Sequence, residues 1–178
     1  MRGILFKQSR NIWLIILCAV LVSACGYRFA GQGEYPKGVQ NIYIEVFDNR
    51  TSKTGIERIV TNQVIFEFTR QRESSLAGSV SKADAILKGV ISTIRTRTVA
   101  RVGTELASQR EVTMTVDLKL VQQDGGKVLW AANGVSERQT YDVIQDSQIL
   151  TDQNETNAIA VLSERMSERI FNRLTNDF

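Results

Sequence analysis

The stretch that decides the fold is residues 108–122, SQREVTMTVDLKLVQ. Val112, Met114, Val116, Leu118 and Leu120 alternate with Thr113, Thr115, Asp117 and Lys119. A period of two over this length is a strand with one face on an apolar core and the other toward water. Just downstream, Asp124-Gly125-Gly126 signals a hairpin, because tight two-residue turns need torsions that glycine adopts freely. A return strand from Lys127 to about Gln139 sets Leu129 and Ala131 opposite Val128 and Trp130. Just upstream, Ala85 to Val99 is a long strand rich in β-branched residues. Plain alternation puts Ile86, Val90 and Ile94 on one of its faces and Leu87, Ile91, Arg95 and Arg97 on the other. Three consecutive strands joined this way predict an antiparallel meander.

Further out, Asn41 to Phe47 alternates again, with Ile42, Ile44 and Val46 facing away from Tyr43, Glu45 and Phe47. Thr54 to about Arg70 is a helix, and Thr54-Gly55-Ile56-Glu57 fits a capping box. Ile56, Ile59, Val60 and Val64 form its stripe, with Ile65 and Phe68 beside and behind it. So wide an apolar arc fits either a well-buried helix or one that also packs on a partner. Asp152 to Leu174 is a closing amphipathic helix with the stripe Ile159, Leu162, Met166, Ile170 and Leu174, after a polar loop over residues 141–153. The order β-α-β-β-β-α predicts an α+β two-layer sandwich, a small, mostly antiparallel four-stranded sheet with two helices on one face.

The chain has 178 residues, 43% hydrophobic and 23% charged, which excludes whole-chain disorder, a collagen repeat and a multi-span membrane protein. Residues 1–24 carry Arg2, Lys7 and Arg10 and no acid, then the apolar run Ile12 to Val22 and the small residues Ser23 and Ala24. That run is too short to span a bilayer as a helix and reads as a secretory signal. Leu21-Val22-Ser23-Ala24-Cys25 resembles a bacterial lipobox, in which the Cys is acylated and becomes the new N-terminus. Cys18 leaves with the signal, so Cys25 is the only remaining thiol and has no disulfide partner within the chain. A single acyl chain anchors marginally and two or three anchor firmly. Gly26 after the Cys resembles the outer-membrane members of such lipoproteins. Residues 25–38, with the chain's only Pro, Pro36, read as the lipidated Cys and a tether, and 39–178 as one domain. Without the leader, 22 basic residues fall by three to 19, equal to the 19 acidic ones. A nucleic-acid binder should not lose its positive excess with its leader.

The chain has no His, which removes Ser-His-Asp and Cys-His chemistry and His-based metal sites. No paired carboxylates, phosphate loop or CxxC spacing assembles an alternative, so neither an enzyme nor a cofactor or metal is expected. One charge feature stands out. Ser92 to Gly103 holds Arg95, Arg97 and Arg101 and no acid, and Arg110 follows on the next strand. Guanidinium forks match phosphate geometry, so the group suits a phosphorylated anionic ligand. Solubilising charge on an edge and hairpin tip accounts for it too, and is the commoner case.

Cys25-Gly26-Tyr27-Arg28-Phe29, the 41–47 strand, the 54–70 helix, the Thr113-Met114-Thr115-Val116 strand, the hairpin and the terminal helix together resemble the LPS-assembly lipoprotein (LptE) family. The resemblance implies a non-enzymatic outer-membrane lipoprotein, anchored by lipid on Cys25 and facing the periplasm. It implies a plug inside the β-barrel of a partner, LptD, that assists barrel assembly and helps deliver lipopolysaccharide to the outer leaflet. The family places a lipopolysaccharide-contacting Arg in the turn before the Met-Thr-Val strand, where Arg101 stands here. A second basic residue of the family lies before the last helix. No Lys or Arg stands between Tyr141 and Gln153, so Arg95, Arg97 or Arg110 would have to compensate. The alternative from another class is a scaffolding outer-membrane lipoprotein of a different envelope machine, with no lipid ligand.

Overall fold

The structure is a computed structural model that describes residues 35–36, 38–72, 75–103 and 106–176. The leader, Cys25 and most of the 25–38 tether lie outside the described residues. The elements run β1 (Ile42–Ile44), β2 (Asp48–Asn49), α1 (Ile56–Arg72), a short 3-10 turn (Val80–Lys82), β3 (Ala85–Val102), β4 (Leu106–Gln122), β5 (Val128–Asp142) and α2 (Gln148–Asn176). The sheet order is β1-β3-β4-β5, with β2 also paired to β3. β3, β4 and β5 form the expected antiparallel meander, whereas β1 and β2 run parallel to β3 because α1 carries the chain back between them.

β4 keeps the alternation read from its sequence: Val112, Met114, Val116, Leu118 and Leu120 are all buried. Its neighbours do not keep a single phase. On β3, Ile91 pairs with Val116 and Thr93 with Thr115, so Ser92 is an extra residue, and its hydroxyl donates to the Thr115 carbonyl at 3.2 Å. A one-residue bulge moves every later side chain to the other face. Leu87 and Ile91 therefore face the core, and so does Ile94. Arg95 and Arg97 turn to the opposite face, which corrects the single-phase expectation for this strand. On the edge, Ile44 pairs with Leu87 and Asp48 with Val90, again one residue more than β3 supplies. The slip explains why Phe47 is 2% exposed and Val46 60% exposed, the reverse of the expected faces. The Phe47 ring lies where a Cβ on Gly89 would stand. On β5, Gly134 adopts φ 65° and its N–H donates to Asp117 Oδ1 at 2.7 Å, holding a bulge. Trp130 and Ala132 before it, and Val135 and Tyr141 after it, all reach the core.

Both helices join the same core as the inward residues of β4, so they cover one face of the sheet. α1 lies over β1 and β2, α2 over β5 and β4, and the helices pack on each other. Phe68 meets Phe171 edge to face, with ring centroids 5.1 Å apart. α2 buries Ile159, Leu162, Met166, Ile170 and Leu174, the stripe read from its sequence. Ser163 and Ser167 are buried among them, and their hydroxyls donate to Ile159 and Glu164 carbonyls of the same helix. α2 starts one turn earlier than expected. Ser147 caps it, accepting the Leu150 N–H at 3.3 Å. α1 starts at Ile56 after Gly55 at φ 86°, and Glu57 accepts the Asn49 side-chain amide at 3.0 Å.

The stretch read as tether contributes to the core. Tyr35 is buried, its hydroxyl hydrogen-bonds Ser75 at 2.9 Å, and the Arg72 guanidinium lies 5.3 Å from its ring centroid. Burial pushes its phenol above the ordinary tyrosine range. Nearby, Asp84 accepts the N–H groups of Asn41 at 2.8 Å and Gln40 at 2.9 Å, which hold its carboxyl below the usual value.

Candidate functional site

The sheet face turned away from the helices carries the arginines in rows set by strand register. Arg95 on β3 pairs with Thr113 on β4, and Thr113 pairs with Arg138 on β5. Neighbouring strands lie about 4.8 Å apart, so the two arginines rise about 10 Å from one another on either side of a small hydroxyl. The adjacent row is Arg97, Glu111 and Thr140, and the row on the other side is Thr93, Thr115 and Ser136. Arg97 donates to Glu111 Oε1 from Nε at 2.9 Å and from Nη2 at 2.8 Å, so its charge is already matched. Among the described residues, Arg95 and Arg138 are exposed and have no ion pair or side-chain hydrogen bond.

The four arginines singled out in the sequence are not brought together. Arg95 and Arg97 share the helix-free face. Arg101 lies at the β3–β4 hairpin end, where it pairs in register with Ala107. Arg110 pairs with Tyr141, whose ring is buried in the core, so it belongs to the helix side of the sheet. Arg138, which the sequence did not single out, completes the row with Arg95. At the far end of β5, the loop before α2 and its first turn expose Ile144, Ile149 and Leu150, Ile149 at 82%. α1 also exposes apolar residues, Ile59 at 45% and Phe66 at 59% on one flank, and Ile65 at 39% on the other, beside Tyr43 and Val46 of the sheet edge. The inward stripe Ile56, Val60, Val64 and Phe68 satisfies its own sheet, so the wide arc serves both sides of the helix. Among the described residues no group of three or more acidic or Cys side chains could hold a metal ion.

The sequence matches the LptE family, described as lipopolysaccharide-assembly, over residues 39–174. The chain belongs to the LptE family. The match spans every described strand, α1 and α2 up to Leu174, including the arginine rows and the hairpin that carries Arg101. Cys25 and Tyr35 lie before it. The same fold occurs in lipoprotein B from Nitrosomonas europaea at 12% identity and TM-score 0.59, covering 84% of this chain and 90% of that one. It also occurs in rare lipoprotein B from Shewanella oneidensis at 10% identity and TM-score 0.52, covering 76% and 95%. A minor lipoprotein from Acinetobacter baumannii shares it at 11% identity and TM-score 0.52, covering 78% and 93%. At such identities these likenesses establish the fold alone. No curated protein matches the sequence significantly.

Proposed function

We propose that this LptE-family chain is a non-catalytic outer-membrane lipoprotein, anchored through Cys25, that plugs an LptD-type β-barrel and helps pass lipopolysaccharide to the outer leaflet. The observation that carries the barrel contact is the apolar pair Ile59 and Phe66 on α1, seven residues and so about two turns apart on one side of the helix. It stays exposed although the helix has already filled its own core. A solvated protein gains nothing from an aromatic side chain at that exposure, whereas a barrel wall would remove it from water. A mature chain with 19 basic and 19 acidic residues, once residues 1–24 are set aside, also suits enclosure by a partner. Arg101, at the hairpin end, is the first residue for contact with the ligand's phosphates.

Phe66→Asp separates docking from folding, because the side chain is outside the core. The chain, tagged at its C-terminus and purified from membranes, should bring down a stoichiometric large β-barrel, and Phe66→Asp should lose it with an unchanged melting curve. A wild-type chain that brings down no barrel would overturn the plug and favour the scaffolding lipoprotein.

A further inference from the structure

We propose that Arg95, Thr113 and Arg138 form a phosphate clamp on the helix-free sheet face, a site for a phosphorylated saccharide headgroup separate from the Arg101 hairpin. The clamp rests on lipopolysaccharide being the ligand and adds a second contact to it. Three observations support it. First, register places two unpaired guanidinium forks in one row with a short hydroxyl between them. Forks about 10 Å apart at their roots, on long side chains, can close on one phosphate or hold two on the same sugar unit. Second, the floor around them is rich in hydroxyls: Thr93, Thr113, Thr115, Ser136 and Thr140 all belong to these three rows. Hydroxyls donate to phosphate oxygens and exchange hydrogen bonds with sugar hydroxyls, so the floor suits a saccharide better than an apolar chain. Third, the acids nearby are already matched. Glu111 is held by Arg97, and Glu137, at the rim, is held by Arg169 of α2. The cleft that takes in Arg95, Arg97, Thr113 and Arg138, with the paired Glu111 and Glu137 also in its wall, has a volume of about 610 Å³, ample for a phosphorylated sugar.

Glu111 makes the proposal specific. It is the only carboxylate in the three rows and it holds Arg97 back from the ligand. Replacing it with Gln removes one negative charge and frees a third fork. A clamp for phosphate should then tighten, whereas a patch that serves only solubility should not respond.

The test uses full-length protein purified from membranes and three probes, intact lipopolysaccharide, deacylated lipopolysaccharide and the deacylated saccharide after phosphatase treatment, titrated calorimetrically at low salt. Removing two charge-assisted contacts together, Arg95→Ala with Arg138→Ala should weaken binding about tenfold. Glu111→Gln should strengthen binding severalfold, and phosphatase treatment should abolish the difference between variants. Arg→Lys at both positions should restore part of the affinity, since charge is kept and the fork lost. All substitutions lie on the solvent face, and circular dichroism checks the fold. Wild-type protein that binds neither intact nor deacylated lipopolysaccharide overturns the functional reading and the clamp together. Wild-type binding that the double variant leaves unchanged, or that survives phosphatase treatment, overturns the clamp alone.

Discussion

Replacing Gly89 with Ala should destabilise the fold, although the same change in an open strand would stabilise it. A Cβ built on Gly89 meets three carbons of the Phe47 ring at 2.5, 2.5 and 2.6 Å. Carbon atoms normally rest about 3.5–4.0 Å apart, so the ring must retreat by about 1 Å. It has little room to do so. Phe47 is buried, and its N–H donates to Thr61 Oγ1 at 3.0 Å, which ties that backbone to α1. Overpacking of this kind costs roughly 1–3 kcal/mol. The stiffer unfolded chain returns only about 0.4–1 kcal/mol. The net loss should be about 1–2 kcal/mol, a fall of about 0.5–1 M in the urea midpoint at a typical slope. A cycle with Phe47→Leu identifies the cause. The smaller side chain opens space, so the double variant should be less destabilised than the sum of the singles by about 1 kcal/mol. A Gly89→Ala protein as stable as wild type, or a cycle that adds without coupling, would refute the claim that the ring occupies the space above Gly89.

Other consequences follow from burial and hydrogen bonding. Met166→Ala should cost about 2–5 kcal/mol in urea denaturation, while Ile149→Ser, at an exposed position of the same helix, should stay within about 0.5 kcal/mol of wild type. Tyr35→Phe should lose about 1 kcal/mol with its Ser75 hydrogen bond, an effect absent if residue 35 belonged to a free tether. The carboxyl of Asp84 is held below its ordinary 3.8 by backbone donors, Asn41 first. Its contribution is therefore present above that value and lost as pH falls through the lower folded one. Thermal melts from neutral to acid pH should show Asp84→Ala less stable near neutrality, with the gap to wild type closing at strongly acid pH.

The order of elements was legible because the two strongest patterns, β4 and α2, have one apolar side each. β4 stays in phase from Val112 to Leu120, and the α2 stripe is buried residue for residue. The faces of β3 were not legible, because β-branched or apolar residues occupy both: Ile86 and Val90 on one, Leu87 and Ile91 on the other. Alternation then cannot reveal that Ser92 is a bulge, and one bulge decides where Arg95 and Arg97 point. The break at Glu45 and Val46 was hidden for the same reason, since Val46 and Phe47 are both apolar. Gly134, alone inside a strand, was a visible sign of a bulge, as Gly89 was of a close approach. The partnership of Arg138 with Arg95 depends on the register of β5, which shifts twice between Val121 and Val116, so no count from the Gly125-Gly126 turn would have fixed it. The start of α2 was missed because Ser147 caps it without the acidic residue three places on that a capping box carries. The Arg cluster itself was legible as charge, but its division between two faces and a hairpin end was not.

The most direct test of the central claim is photocrosslinking in living cells from a reactive residue placed at position 66 of the full-length chain. An adduct with one large outer-membrane β-barrel, lost when Ile59 on the same flank is changed to Asp, is the result expected of a plug. A folded, membrane-associated chain that gives no barrel adduct from this position would contradict it.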